Sequence, residues 1–227
     1  MATGATLHTK YSHVVVAVDV AIFTIIDQSL HVLLMKLSKP PYEKSWALPG
    51  GLIHSDESLD EAASRELKER TGLSGVYLEQ LYTFGKINRD PFGRVVSTAY
   101  FALVPSGARA LAALKSSGDV AWYKVNKLPE LGYDHAEIID YGLERLRSKL
   151  RYSNIVYSLL PKEFTLTDLQ SAYEIILGRP LDKRNFRKKI LSLRLIEATG
   201  KKVTGAPNRP AELYRFIKQK PQIIDIL

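Results

Sequence analysis

The sequence predicts an α/β protein in which a mixed β-sheet lies between helices, followed by a smaller and mainly helical domain. Three observations support this prediction. Segments rich in Val and Ile alternate with segments of helical periodicity through the first two thirds of the 227 residues. A long motif of glycines and charges accompanies one of these helices, and positive charge is concentrated in the last third. We expect the two domains at residues 1–150 and 151–227.

The strands and helices of the first domain are predicted from patterning and turn residues. Two β-rich segments at 13–27 and 30–37 are separated by Gln28-Ser29, which predicts a hairpin. Asp134 and Glu137 are spaced as a helix cap, which predicts a helix through about residue 150. Further strands are expected at 76–84, 94–104 and 121–125, with a short helical insertion at 108–114. Strands with helices between them are typical of an α/β/α sandwich with a mixed sheet.

Composition excludes several classes of protein. The chain has no cysteine, so disulfides and cysteine-ligated zinc sites are excluded. Its longest apolar stretch, 14–26, is interrupted by Asp19 and is too short to span a bilayer, so we interpret it as a buried strand. The N-terminus lacks the basic start and the cleavage site of a secretory signal. These features are compatible with a reducing cytoplasm, and we expect no membrane partner.

The charged motif begins after a tryptophan and two glycines, in Trp46-Ala-Leu-Pro-Gly-Gly51. Ser58 and Glu61 are spaced as a capping box, and Gly72 is placed to end the same helix. The charged and glycine positions of the motif are Gly51, Glu57, Arg65, Glu66, Glu69, Arg70 and Gly72. Chance seldom produces so long a pattern, although a solvated amphipathic helix is the simpler interpretation of any three of these charges.

The motif resembles the Nudix box, whose glutamates hold magnesium or manganese against a diphosphate. That pattern has two adjacent glutamates near its end, where this sequence has Glu69 followed by Arg70. Arg70 is one helical turn from Glu66, so it should pair with Glu66 or bind a phosphate directly. We therefore expect no catalytic residues and no required cofactor, with magnesium or manganese held weakly or not at all by Glu66 and Glu69. Nucleotide binding is assigned to Trp46, Glu66, Glu69, Arg70 and Arg89.

The last third is basic. Residues 1–151 carry 18 Lys and Arg against 17 Asp and Glu, whereas residues 152–227 carry 14 against 7. Such a division predicts a polyanion as the partner of the second domain. Its predicted order is three helices, a strand at 196–203, a loop and a strand at 211–217, which is a winged helix-turn-helix domain.

The third of these helices has the features of a recognition helix. Asp182 caps it, and Phe186, Ile190 and Leu193 share one side. Arginine and asparagine on the opposite side suit phosphates and base edges. No aromatic-rich strand offers a stacking platform for RNA, so double-stranded DNA is favoured. The expected DNA contacts are Lys183, Arg184, Asn185, Arg187 and Lys188 on the helix, with Lys201, Lys202 and Arg209 in the wing.

Both domains together resemble the Nudix-related transcriptional regulators of the NrtR family. The most specific motifs are the altered box, Arg89-Asp-Pro-Phe-Gly-Arg-Val-Val-Ser97, Asp134-His-Ala-Glu137, Pro180-Leu-Asp-Lys-Arg-Asn-Phe186 and Leu213-Tyr-Arg-Phe216. The resemblance implies a bacterial homodimeric repressor of NAD biosynthesis and salvage genes, which binds a palindromic operator and is released by ADP-ribose or a related nucleotide. Members of the family differ in whether they hydrolyse the nucleotide.

Two alternatives remain open on the sequence. The first is an active ADP-ribose pyrophosphatase whose basic domain serves localisation or dimerisation. The second is a Nudix hydrolase that acts on nucleic acid, such as RNA ends. Both require a competent metal site, which Arg70 disfavours.

Overall fold

The computed structural model describes residues 13–106, 119–203 and 210–226. The first part contains one mixed sheet, whose strands are β1 (Val15–Ile26), β2 (Ser29–Lys36), β3 (Trp46–Ala47), β4 (Gly50–Leu52), β5 (Tyr77–Phe84), β6 (Val95–Leu103) and β7 (Val120–Lys124). The long β1 lies at its centre and runs parallel to β6, while every other pairing in this sheet is antiparallel. The helical insertion expected at 108–114 lies outside the described residues.

The predicted hairpin is present between β1 and β2. Asp27 and Gln28 form its turn with φ values of 45° and 57°, the left-handed backbone that two-residue hairpin turns require. Beyond the hairpin the two strands diverge, and the short β3 and β4 pair with β2 and β1 respectively. In the β1–β4 pair, Gly50 therefore lies opposite Asp19.

Two helices cover the two faces of the sheet, as the α/β/α prediction requires. Helix α1 (Leu59–Thr71) starts with the capping box of Ser58 and Glu61 and ends at Gly72, whose φ is 68°. Helix α2 (His135–Tyr152) covers the opposite face. Successive side chains of β1 point to opposite faces of the sheet. Val18, Val20 and Ile22 pack with α1, whereas Ala21 and Phe23 belong to the core beneath α2.

The helix predicted to open at Asp134 is present, and only the side-chain cap expected from Asp134 is wrong. Asp134 precedes α2 but makes no side-chain cap hydrogen bond. Its carboxylate accepts hydrogen bonds from Arg89 instead, with distances of 2.9 and 2.6 Å. The helix also continues to Tyr152, so the domain boundary expected at residue 150 falls inside a helix.

The last part has the order of a winged helix. A 3-10 helix (Ile155–Ser158) is followed by α3 (Leu166–Leu177), α4 (Lys183–Ser192) and the two-stranded sheet of β8 (Ile196–Lys202) and β9 (Glu212–Phe216). Thr165 and Asp168 form a capping box at the start of α3, and Gly178 ends that helix in the left-handed conformation. Asp182 caps α4 by accepting a hydrogen bond from the amide of Asn185 at 2.8 Å. These local predictions are confirmed.

The two parts share one hydrophobic core. Leu146 and Leu150 of α2 belong to the same buried cluster as Phe23 of the sheet and Tyr173 and Phe186 of the winged helix. Hydrogen bonds also cross between the parts, from Arg147 Nε to the carbonyl of Ile176 (3.0 Å), from the Ser106 amide to Leu159 (3.1 Å) and from Ser171 Oγ to Gln28 (2.5 Å). In the described ranges no helix has the length and apolar character needed to cross a membrane.

Candidate functional site

Two glycines place the backbone of β4 directly against two carboxylates. A Cβ atom added to Gly50 would lie 2.4 Å from Asp19 Oδ1, and one added to Gly51 would lie 2.4 Å from Glu66 Oε1. At Gly50 the added atom would also lie 2.5 Å from the Val18 carbonyl oxygen, so this position requires glycine, whereas a side chain at Gly51 would displace the Glu66 carboxylate. The carboxylates of β1 and α1 are therefore brought to the same short strand.

Arg65 holds the motif together. Its guanidinium donates two hydrogen bonds to Glu57, at 3.0 and 2.8 Å, and a third to Glu66 Oε1 at 2.7 Å. The hydrogen bonds from Arg65, followed by one from the His54 amide, lower the pKa of Glu57 to about 2. Arg65 thus holds Glu57 in its charged form and leaves Glu66 only one oxygen that does not contact this guanidinium.

That remaining oxygen faces Arg70. Arg70 Nε lies 3.7 Å from Glu66 Oε2, which makes no hydrogen bond with any described residue. Glu66 is buried, at 4% exposure. One of its oxygens contacts Arg65 and the other faces Arg70. Glu69 is different, because its side chain is half exposed and its nearest cation is Arg65 Nη1 at 3.7 Å.

The residues present do not fit a divalent cation in this arrangement. Nudix-type metal binding needs several carboxylate oxygens directed at one point. Among residues 13–106, 119–203 and 210–226 no three metal-ligating side chains are gathered in that way. Glu66 is paired with Arg65 and Arg70, and Glu69 extends toward solvent.

A buried polar network lies beside the glycines. Arg89 is 7% exposed and contacts Asp134 at 2.6 Å and Asp19 at 3.1 Å. Ser97 donates a hydrogen bond of 2.6 Å to Asp19. Burial raises the pKa of Asp19, but His135, Ser97 and Arg89 outweigh burial and hold this pKa at about 2. Asp19 is therefore a charged group inside the sheet, stabilised by its partners.

His135 joins this network to the backbone of the Gly-rich segment. The Leu48 amide donates a hydrogen bond of 2.9 Å to His135 Nδ1. The other ring nitrogen, Nε2, is 3.4 Å from Asp19 Oδ1. The first residue of α2 is thereby tied to both β1 and the segment that precedes β4.

We expect Asp19 to make the fold sensitive to acid. Its pKa is depressed from 3.8 to about 2, so its stabilisation is complete above pH 4 and is lost as the pH falls from about 4 to 2. The contribution lost is about 2 kcal/mol. Urea unfolding at pH values across this window should show a steeper decline for the native chain than for Asp19→Asn. A chain carrying Asp56→Asn, at an exposed position, should keep the native slope; equal slopes in all three chains would contradict the assignment.

The network and the glycines line a cleft of about 200 Å³, formed by residues that include Ala17, Asp19, Leu48, Gly50, Gly51, Leu52, Arg89, Asp90, Tyr133 and His135. A wider opening of about 810 Å³ adjoins it through Met35, Leu37 and Tyr133 and is lined by Arg70 and Phe92. The opening is lined by four cations, Lys36, Lys39, Lys44 and Arg70, against two carboxylates, Glu43 and Asp119, and this excess of positive charge favours an anionic ligand there.

The structure brings together some of the predicted nucleotide-binding residues but not all of them. Arg89 lines the small cleft and Arg70 lines the opening, whereas Glu66 and Glu69 line neither of them. Trp46 lies elsewhere, because its ring packs on Tyr123 with centroids 4.9 Å apart and contributes to the core beneath α2. Sequence reasoning missed Asp19 and Ser97 as members of the site. A lone charge within an apolar strand was the signal for Asp19.

The candidate nucleic-acid interface is the outer side of α4. Phe186 and Ile190 are buried against the core, while Lys183, Arg184, Asn185 and Lys188 are exposed. Arg187 is partly buried and donates a hydrogen bond of 3.0 Å to Thr167. It is therefore less available for DNA contact than the exposed residues beside it. In the wing Lys202 is exposed and Lys201 pairs with Glu163 at 2.8 Å. Arg209 lies outside the described residues.

Comparisons with known proteins match both parts of the chain. The NUDIX domain model matches residues 16–142, and the model of the NrtR DNA-binding winged helix domain matches residues 156–216. The ADPR responsive transcriptional repressor NtrR of Acinetobacter baylyi is 39% identical over 214 residues, covering 92% of this chain and 84% of the relative.

Solved structures agree with these matches. NrtR of Shewanella oneidensis in complex with a 27mer DNA is 37% identical, with a TM-score of 0.80, and the match covers 88% of this chain and 93% of that one. The NUDIX domain of the same Shewanella protein in complex with ADP ribose is 36% identical, with a TM-score of 0.51, covering 63% of this chain and 99% of that one.

Proposed function

Because this chain belongs to the NrtR family, with a Nudix domain joined to an NrtR winged helix, we propose that it is a DNA-binding transcriptional repressor whose Nudix domain binds ADP-ribose. The observation that carries the proposal is the exposed row of Arg184, Asn185 and Lys188 on α4, in the domain that matches the family's DNA-binding model. Two relatives that match most of the chain support the proposal: the Acinetobacter protein is an ADPR responsive transcriptional repressor, and the Shewanella protein is complexed with a 27mer DNA.

The diphosphate of ADP-ribose suits the cations of the cleft. Arg70 at the opening offers a planar donor to a phosphate. Arg89 is committed to Asp19 and Asp134, so its role is to hold the wall of the cleft rather than to bind a phosphate by itself. Trp46 is not part of this proposed site.

Helix α2 supports a route between the nucleotide and the DNA. Its first residue, His135, contacts Asp19 in the wall of the cleft, and Arg147 near its other end donates to the last turn of α3. A nucleotide changes DNA affinity only if it binds two arrangements of the protein unequally. A shift of α2 relative to the sheet is the arrangement we propose for that difference.

The family resemblance extends the proposal to assembly and targets. We expect a cytoplasmic homodimer that binds a palindromic operator, with half-sites about 34–36 Å apart so that two copies of α4 reach successive major grooves. Genes of NAD synthesis and salvage are the expected targets. No metal is required for binding in this proposal, since Arg65 and Arg70 neutralise Glu66.

DNA selected by the purified protein from a random pool tests the function directly. We expect enrichment of an inverted repeat, and release of that DNA when ADP-ribose is added, whereas AMP should have little effect. Enrichment of no sequence would overturn the DNA-binding proposal. DNA binding that ADP-ribose leaves unchanged, with no ADP-ribose binding in calorimetry, would overturn the effector assignment alone.

Restoring a carboxylate at position 70 should restore metal binding. In Arg70→Glu the cation beside Glu66 is replaced by a third carboxylate next to Glu69, so we expect Mn²⁺ affinity to rise about tenfold or more. Free Mn²⁺ measured by electron paramagnetic resonance gives this affinity without reference to activity. Lys68→Glu makes the same change of charge at an exposed position of α1 and should leave Mn²⁺ affinity near that of the native chain.

The same preparations decide the pyrophosphatase alternative. The native chain should bind ADP-ribose without releasing AMP above background in the presence of magnesium. Rapid AMP release by the native chain, lost in Glu69→Gln, would show that Arg70 is compatible with hydrolysis. The active pyrophosphatase would then be the better interpretation of the Nudix domain.

A further inference from the structure

We infer that a cleft between the Nudix sheet and the winged helix is a second ligand site, suited to a planar aromatic anion. This interdomain cleft encloses about 460 Å³ and is lined by Tyr77 and Leu103 of the sheet and by Tyr157, Ser158, Leu160 and Phe216 of the winged-helix part. Ligand sites of small molecules occur often between domains and have volumes of about 300–1,000 Å³. None of these residues lines the cleft beside Arg89.

The walls of the interdomain cleft are aromatic and aliphatic. Tyr157 and Phe216 have ring centroids 6.2 Å apart with planes at 68°, so an edge and a face are available to a third ring. Tyr77 contributes a ring from the sheet and is itself supported by Phe101 at 5.6 Å. Flat rings pack well in such a setting, because aromatic pairs favour tilted and offset contacts.

Two polar groups define the rest of the ligand. Ser158 is 7% exposed, and its hydroxyl has no hydrogen-bond partner among the described residues. Buried hydroxyls are seldom left in this state, and rotation about one bond allows Ser158 to donate to a ligand oxygen. Lys162 is exposed at the rim and forms no ion pair with any residue that the structure describes. The neighbouring Glu163 is paired with Lys201 instead.

The cleft has apolar walls, a hydroxyl donor in Ser158 and a cation at its rim in Lys162. These features favour an aromatic ring that carries a carboxylate, a sulfonate or a similar anionic group. Such a ligand contacts both parts of the chain at once, from Tyr77 on β5 to Phe216 on β9. It would therefore favour one placement of the winged helix over another. This effect on DNA binding rests on the proposed function, whereas the site itself does not.

Titration of the full chain with anilinonaphthalene sulfonate, an aromatic sulfonate that fluoresces in apolar surroundings, tests the site. The titration is carried out with saturating ADP-ribose. We expect saturable fluorescence, weakened about tenfold in Lys162→Glu because an attractive charge becomes repulsive. Lys218→Glu makes the same change at an exposed residue outside the cleft and should bind the probe as the native chain does. Gln219→Trp, at the exposed rim, should reduce binding by obstruction.

Three results would overturn the inference. They are no fluorescence increase with the native chain, equal weakening by Lys162→Glu and Lys218→Glu, or unchanged binding in both Lys162→Glu and Gln219→Trp. Calorimetry with ADP-ribose on the same variants separates this site from the proposed function. We expect unchanged ADP-ribose affinity in each variant. Failure of the native chain to bind ADP-ribose would overturn the effector assignment. The fluorescence titration would still test the interdomain cleft on its own.

Discussion

Replacing Arg89 by methionine is expected to lower the free energy of unfolding by about 3–5 kcal/mol. The side chain of Arg89 is 3% exposed and contacts the carboxylates of Asp19 and Asp134, whose side chains are each 9% exposed. Methionine fills much of the same volume but leaves two buried negative charges close together without their cation. Urea unfolding at pH 7 measures the loss. Asp19→Asn and Asp134→Asn added to the Arg89→Met chain should recover part of it, because they remove those charges.

Lys86→Met is the matched control for this prediction. Lys86 also pairs with a carboxylate, that of Glu137, but its side chain is 62% exposed and that of Glu137 is 52% exposed. Exposed pairs contribute about 1 kcal/mol or less. Similar losses in the two variants would show that burial of the Arg89 network does not determine its contribution.

Removing two cations from α4 should weaken DNA binding about a hundredfold. Arg184→Ala combined with Lys188→Ala takes two charges from the exposed side of the helix, and each contact of this kind contributes about 1–3 kcal/mol. If both contact phosphates, the slope of log affinity against log salt should also become shallower by about 2. Fluorescence anisotropy on the selected inverted repeat, repeated at several salt concentrations, measures both quantities.

Lys189→Ala distinguishes a specific interface from general attraction. Lys189 lies on the same helix and is ion-paired with Asp225 at 3.6 Å, outside the predicted row. Its removal should change the affinity far less than either Arg184→Ala or Lys188→Ala alone. If all three single variants lose affinity equally, the helix contributes diffuse charge and does not enter the groove.

Features that depend on neighbours in the chain could be predicted from the sequence. The capping boxes at Ser58 and Thr165 and the helix ends at Gly72 and Gly178 all involve residues within a few positions of one another. The hairpin was also predicted, although its turn lies one residue earlier, at Asp27-Gln28, than the expected Gln28-Ser29. Helical periodicity likewise separated the buried Phe186 from the exposed Arg184. Local geometry decides each of these, so one short segment contains the necessary information.

Features that depend on tertiary partners could not be predicted in this way. Arg89 lies 70 residues from Asp19 and 45 from Asp134, and nothing in the Asp134–Glu137 spacing indicates that the carboxylate has a distant partner. The same limit applies to Arg187, which donates to Thr167 on the preceding helix, and to Trp46, which packs on Tyr123. A cation or an aromatic ring in the sequence has many possible contacts, and only the fold selects among them.

The common core of the two domains has a practical consequence for ligand screening. Since Leu146 and Leu150 are buried together with residues of both the sheet and the winged helix, unfolding of either half would expose apolar surface of the other. A compound bound to the native state raises the melting temperature of the whole molecule, according to its concentration and affinity. A thermal shift for this protein will therefore show that a compound binds but will not show which of its sites the compound occupies. Each hit will need a second method that identifies the contacting residues.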